Sequence, residues 1–208
     1  MIDAAVVDCG GGNLASVIRA LEACSARVRL VAHPDELGRP SHIVLPGQGA
    51  FADGMRTLRE SGLVEALGEQ VAGSGTPLLG ICLGLQILGL RGNEGGPTAG
   101  LGRIEGEVVK LEPDARERRL PHVGWNQVEL SEPGRDHPLF RDIPDGTDFY
   151  FLHSYHLRCR NPGEVLAHTP YCGRWVSAAA RGNIQGVQFH PEKSQAMGLK
   201  LLRNFLSL

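Results

Sequence analysis

The chain has 208 residues, of which 42% are hydrophobic and 21% charged, and its formal net charge is −2. That length suits one medium-sized domain with room for a full core, and the composition is that of an ordinary soluble globular protein. The near-neutral charge gives no basis for a nucleic-acid partner or for an anionic membrane surface, and no apolar stretch approaches membrane-spanning length.

The first residues, Met1 to Asp8, carry neither the basic segment nor the long apolar run of a secretion signal, so a cytoplasmic protein is expected. Cys9, Cys24, Cys82, Cys159 and Cys172 form no C-x-x-C pair. They are expected to be free thiols in a reducing compartment, and neither a zinc site nor a disulfide framework is indicated.

In chain order, Ile2 to Asp8 reads as a strand, Gly10-Gly11-Gly12-Asn13 as a glycine loop, and Leu14, Val17, Ile18 and Leu21 as one face of a helix. The glycine spacing is not G-x-G-x-x-G and no acidic residue closes the next strand, which argues against a dinucleotide site. Val28 to Val31 and His42 to Leu45 read as the next strands. The second of them runs into another glycine loop, Pro46-Gly47-Gln48-Gly49-Ala50-Phe51. Leu63 to Val71 has the spacing of a helix, and Pro77-Leu78-Leu79 begins a buried strand. Strands alternating with helices in this way indicate a parallel, doubly wound sheet.

Arg91 to Gly102 reads as a glycine-rich surface loop. Beyond it, Ile104 to Leu111, Trp125 to Leu130, Phe149 to Leu152, Val165 to His168, Trp175 to Ala180 and Gln185 to Phe189 read as strands joined by short turns. This half is expected to be mixed or antiparallel and to continue the same sheet. Met197 to Leu206 is an amphipathic helix covering one face. The expected architecture is thus α/β: one domain over residues 1–208, with a central, mostly parallel sheet flanked by helices and extended by antiparallel strands.

The stretch Gly80-Ile81-Cys82-Leu83-Gly84 joins a strand to a helix through a very tight turn. A side chain at the tip of such a turn is pushed out of the sheet, and the residues two positions either side must be small. A helix N-terminus favours negative charge placed there, and its free N–H groups can hold a developing oxyanion. An isolated cysteine is ordinarily a small buried apolar residue, but glycines at this spacing make Cys82 a candidate nucleophile. A base is available in Gln188-Phe189-His190-Pro191-Glu192. In an extended segment His190 and Glu192 project from one side, as a base and the carboxylate that sets its tautomer. Cys82, His190 and Glu192 then make a complete set for attack on an acyl carbon. His153-Ser154-Tyr155-His156 has no acidic or thiol partner at ligand spacing, so no metal is expected, and no cofactor is implied.

Gly80 to Gln86 and Gln188 to Glu192 together resemble the two motifs of the class I, or triad, glutamine amidotransferases. Within that class, the stretches 8–14, 46–51, 121–126, 149–155 and 192–195 are similar to those of the glutaminase subunits of imidazole glycerol phosphate synthases. The resemblance implies hydrolysis of glutamine to glutamate and ammonia. It also implies a (β/α)8-barrel cyclase partner that uses the ammonia to convert a phosphoribulosyl-formimino ribonucleotide (PRFAR) into imidazole glycerol phosphate and an aminoimidazole ribotide (AICAR), in histidine biosynthesis. By matching motif, Gly47, Gln48, Gly49 and the Leu83 N–H would form the oxyanion hole. Gln86 and the Ser154-Tyr155 backbone would grip glutamine, while Asn13, Trp125 and Lys193 would lie near the partner interface. The chain departs from the common pattern at Cys9, where such proteins usually carry Tyr, and at Gln48, which replaces a small aliphatic residue. Another amidotransferase of the class, a free-standing γ-glutamyl hydrolase and a binding module without chemistry remain as alternatives, separable by activity of the isolated chain and by alkylation of Cys82.

Overall fold

The run Ala4 to Val7 is wholly buried, as is Ile43 to Leu45. Strands apolar on both faces need a layer of helices on each side, which is the environment of a parallel sheet. In the computed structural model, which describes residues 2–113 and 119–208, β1 (Asp3–Val7), α1 (Leu14–Ala23), β2 (Arg27–Val31), α2 (Pro34–Leu37), β3 (His42–Gly47), α3 (Phe51–Glu60), α4 (Leu63–Gly68), β4 (Leu78–Cys82) and α5 (Leu83–Leu88) succeed one another. After them come β5 (Arg91–Gly92), β6 (Thr98–Ala99), β7 (Gly106–Lys110), β8 (His122–Leu130), α6 (Glu132–Asp136), β9 (Thr147–His153), β10 (Tyr155–Cys159), β11 (Val165–Pro170), β12 (Arg174–Arg181), β13 (Ile184–Val187) and α7 (Gln195–Phe205).

The large sheet runs β2-β1-β3-β4-β13-β12-β11-β8-β9. From β2 to β13 every neighbour is parallel, and from β13 to β9 every neighbour is antiparallel. The antiparallel strands therefore continue the first sheet and extend its parallel half. β4 and β13 lie side by side, with Val187 opposite Ile81 and Gly186 opposite Gly80. β3 flanks β4 on its other side, with Gly47 opposite Cys82. Loops from the carboxyl ends of three parallel strands thus meet at one point, where open α/β sheets place their ligands. Two apolar clusters fill the space on either face. One contains Phe149, Phe189 and Phe205, the other Phe51, Met55, Leu58 and Leu85.

Several features differ from the sequence reading, among them the short helices α2 and α6 and the strand β10, which join the expected elements. Within the stretch 104–111, Gly106–Lys110 form β7 of a separate sheet, ordered β10-β7-β5-β6, in which β7 pairs with β10. Arg91 to Gly102 is not a bare loop, since it supplies the two short strands β5 and β6 of that sheet. Helix α3 is an addition to the expected elements. It begins on Ala50 with no side-chain cap and carries Gly54 inside it, so its boundary signals are weak, and burial of Phe51, Met55 and Leu58 holds it instead.

The turn at Cys82 is shaped by two close approaches. A Cβ on Gly84 would stand 1.8 Å from the Leu45 carbonyl oxygen, and one on Gly80 would stand 2.7 Å from the Gly84 carbonyl carbon. Neither position tolerates a side chain, so α5 presses directly on the strands that feed it.

Near the antiparallel half, the rings of His122 and Tyr171 stack at 3.9 Å, and His153 meets Trp175 edge-on at 4.5 Å. His153 Nδ1 faces the Tyr155 carbonyl at 2.9 Å and so carries the proton, which leaves Nε2 to accept from His122 Nδ1 at 3.1 Å. Burial holds His153 neutral, at about 3. The unfolded chain binds this proton near 6.5, so between these values the unfolded state holds more protons and stability falls as pH drops. Urea midpoints at pH 7 and pH 5 should therefore show a loss on acidification that His153→Gln reduces by about 2 kcal/mol.

Candidate active site

Cys82 is the last residue of β4 and the cap of α5, with φ 56° and ψ −107°. Residues other than glycine rarely adopt that backbone, and holding one there costs on the order of 1–3 kcal/mol. Cys82 is 5% exposed. Its sulfur lies 3.7 Å from the Leu152 carbonyl and 3.5 Å from the side-chain nitrogen of Gln188. Leu83 opens the helix, so its N–H has no acceptor within α5.

His190 and Glu192 come together by a different route from the one expected. The strand ends at Val187, and Pro191–Lys193 form a 3₁₀ turn. This turn, and not the alternation of an extended chain, brings the Glu192 carboxylate onto His190 Nδ1 at 2.8 Å, with both side chains only 2% exposed. Pro191 favours the turn by fixing φ at its first position. The backbone of His190 is pinned to β9: its N–H donates to the Tyr150 carbonyl at 2.8 Å. The Ser194 hydroxyl donates to the His190 carbonyl at 2.6 Å while accepting from the Tyr150 N–H at 3.0 Å.

The imidazole of His190 is pushed up to about 9. Burial alone pulls it down, but the charge of the Cys82 sulfur and a hydrogen bond to it, then Glu192, outweigh burial. Nε2 is enclosed and has no hydrogen-bond partner of good geometry, so the coupling to sulfur is carried by charge more than by an aligned bond. Glu192 thus contacts the His190 ring, and the Cys82 sulfur lies close enough to shift it.

Cys82 opens on a cavity of about 360 Å³ lined by Gln48, Gly49, Ala50, Leu83, Gln86, Glu94 and the segment Leu152 to Tyr155. Of the sequence-derived contacts, Gln48, Gly49, Leu83, Gln86, Ser154 and Tyr155 all reach this cavity. Gly47 lies behind it, lining with Asn13, His190 and Glu192 a much smaller void. Gly49 has φ +106°, which leaves its peptide free to turn where a side chain would resist. The Ser154 carbonyl accepts from the Leu111 N–H at 2.8 Å, and the Tyr155 carbonyl accepts from Gln86 Nε2 at 2.8 Å. Both carbonyls are therefore occupied within the protein.

The three expected interface residues lie outside this cavity. Asn13 caps α1 through Ser16. Trp125 is 48% exposed beside Val123 at 55%, and its ring meets Tyr150 edge-on at 6.2 Å. Lys193 Nζ sits 5.8 Å from the same Tyr150 ring. Cys9 is buried, its thiol donating to the Pro46 carbonyl at 3.0 Å and pushed up to about 12 by burial and then by Asp8. It supports the glycine loop from inside and presents nothing at the surface.

Sequence reasoning missed two residues. Glu94, inside the stretch read as a surface loop, is drawn to the cavity because its carboxylate accepts the Phe51 N–H at 2.9 Å. An acidic residue alone in a glycine-rich stretch was the available signal. Gln188 is wholly buried against Cys82. It stands two residues before His190, so the period-two argument applied to His190 and Glu192 would have found it.

With this geometry in view, the chain belongs to a known family: residues 5–208 match the class I glutamine amidotransferases, described as "Glutamine amidotransferase class-I". Among its relatives, the protein from Moorella thermoacetica called imidazole glycerol phosphate synthase subunit HisH is 48% identical, over 97% of this chain and 92% of its own. Imidazole glycerol phosphate synthase subunit HisH 1 from Campylobacter jejuni is 44% identical over 98% and 99%. The fold also matches solved structures of lower identity. PurLQS from Thermotoga maritima has a TM-score of 0.76 at 20% identity, covering 99% of this chain and 98% of that one. The glutaminase domain of Trypanosoma brucei CTPS with bound acivicin has a TM-score of 0.64 at 15%, covering 100% and 94%.

The strain at Cys82 has a measurable consequence. Cys82→Gly should unfold with a free energy about 1 kcal/mol or more above that of Cys82→Ala in denaturant titrations, since glycine alone relieves the positive φ.

Proposed function

We propose that this chain is the glutaminase subunit of an imidazole glycerol phosphate synthase. It hydrolyses glutamine to glutamate and ammonia, and hands the ammonia to a (β/α)8-barrel cyclase subunit that turns PRFAR into imidazole glycerol phosphate and AICAR. The observation that carries this reading is the buried Cys82, His190 and Glu192 set, whose cysteine lines a cavity that Glu94 also lines. The names of the full-length relatives support the particular synthase.

The side-chain amide of glutamine enters with its carbonyl carbon against the Cys82 sulfur. The sulfur attacks, and the carbonyl oxygen becomes an oxyanion facing the Leu83 N–H and the loop Gly47-Gln48-Gly49. His190, protonated at neutral pH by its pairing with sulfur and Glu192, delivers its proton to the leaving nitrogen. Ammonia departs and a γ-glutamyl thioester remains on Cys82. His190, now neutral, takes a proton from water as that water attacks the thioester, and glutamate leaves with the sulfur restored. Glu192 keeps the imidazole in one tautomer throughout. At the far end of the substrate, Glu94 takes the α-ammonium, and Gln86, whose N–H groups are spent internally, offers Oε1.

The heterodimer interface is assigned to the patch of Trp125, Val123, Tyr150 and Lys193, with Asn13 beside the triad. Exposed Trp and Val on one strand face are the kind of apolar surface that another protein covers. Because His190 is hydrogen-bonded through its backbone to Tyr150, a partner seated there acts close to the base. The complex works in the cytoplasm.

Ammonia release from glutamine should be slow for the isolated chain and rise by orders of magnitude with the cyclase subunit and its nucleotide ligand, and Cys82→Ala should abolish it. Full activity without the cyclase would instead favour a free-standing hydrolase. Glu94→Gln should raise KM for glutamine about tenfold or more with kcat little changed, because the lost contact is with the unreacting ammonium.

A further inference from the structure

We propose that Gln188 is a positioning residue for the nucleophile: its side-chain N–H groups hold the Cys82 sulfur toward the cavity as a hydrogen-bond acceptor. This rests on the reading of Cys82 as the attacking group. Gln188 is wholly buried, and its Nε2 lies 3.5 Å from the sulfur.

The orientation of the amide is fixed by its neighbours. The Tyr155 carbonyl is an acceptor only, so the Gln86 group facing it at 2.8 Å must be the nitrogen. That nitrogen has a second hydrogen, which it gives to the Gln188 side chain at 3.1 Å. The Gln188 atom receiving it must be oxygen, and its nitrogen is then turned to the sulfur. A reversed amide would set two donors against each other and leave the second Gln86 hydrogen buried without an acceptor. The sulfur therefore meets a fixed donor, and its own proton is left to the Leu152 carbonyl at 3.7 Å or to His190.

The main chain holds Gln188 just as firmly. Its N–H donates to the Ser177 carbonyl on β12 at 2.8 Å, and the register of β13 against β4 carries it alongside Cys82. Two neutral amides in series thus run from Tyr155 to the nucleophile. They contribute a donor to the sulfur without adding a charge that would compete with His190.

The test compares wild type with Gln188→Met and Gln188→Leu, both of which remove the donor while keeping the site filled. Each should lower kcat for glutamine, measured in the complex with the cyclase subunit, by about tenfold or more with KM nearly unchanged. Each should also slow iodoacetamide alkylation of Cys82 at pH 7, monitored by peptide mapping, by a similar factor. A structural role would lower the melting temperature without slowing alkylation, and wild-type alkylation and kcat in either folded variant would overturn the proposal. Where a variant does not fold, the wild type decides. In ¹⁵N-labelled protein, the Gln188 side-chain amide signals should shift when Cys82 is replaced by Ala, and unmoved signals would overturn it. Alkylation and the amide signals need no turnover, so they judge Gln188 even if the chain fails to release ammonia from glutamine.

Discussion

The close approach of α5 to the strands beneath it governs the rest of the molecule. With no side chain at Gly80 or Gly84, the helix descends until its backbone touches that of β3 and β4, and the chain has no room for a relaxed connection. The residue at the bend is forced to positive φ, and that residue is Cys82. The same compression places the free N–H of the first helical residue beside the thiol. Strain, orientation toward the cavity and a helical N–H with no acceptor inside α5 are thus one geometric fact seen three ways.

A second constraint acts on the neighbouring strand. β13 lies against β4 in parallel register, so the chain beyond Val187 emerges beside Cys82. It brings Gln188 first, then Phe189 locked among Phe149 and Phe151, then His190 tied by its main chain to β9. An imidazole buried this deeply would ordinarily be neutral. The Cys82 sulfur and the Glu192 carboxylate reverse that preference and push His190 up to about 9, and on the proposed mechanism its proton is placed for the leaving nitrogen.

The smaller sheet and the imidazole and aromatic cluster serve the cavity rather than the triad. β5 packs so closely that a Cβ on Gly92 would strike the Phe51 ring at 2.6 Å, which brings the loop bearing Glu94 over the start of α3. On the other wall, His122, His153 and the Tyr155 carbonyl form a hydrogen-bonded series with every tautomer assigned by its neighbours. That series ends on Gln86 and Gln188, so the cavity wall and Cys82 share one polar network.

Residue order alone was enough to give the strand-to-helix elbow, the motifs that carry Cys82, His190 and Glu192, the strands β1 to β4 with the helices α1, α4 and α5, and the family. Each of these is local: glycine spacing, apolar period and short motifs act within a few residues of chain. The features that emerged only in three dimensions are non-local. The parting of β7 from the main sheet depends on which later strand captures it, and α3 is held by burial rather than by its own caps. Glu94 and Gln188 gain their places because Phe51 and Cys82, 43 and 106 residues away along the chain, meet them in the fold. Even the contact of His190 with Glu192, only two residues apart, is made by a 3₁₀ turn that no alternation rule contains. Contacts between distant segments are set by packing of the whole chain, and packing leaves no periodic trace in the segments themselves.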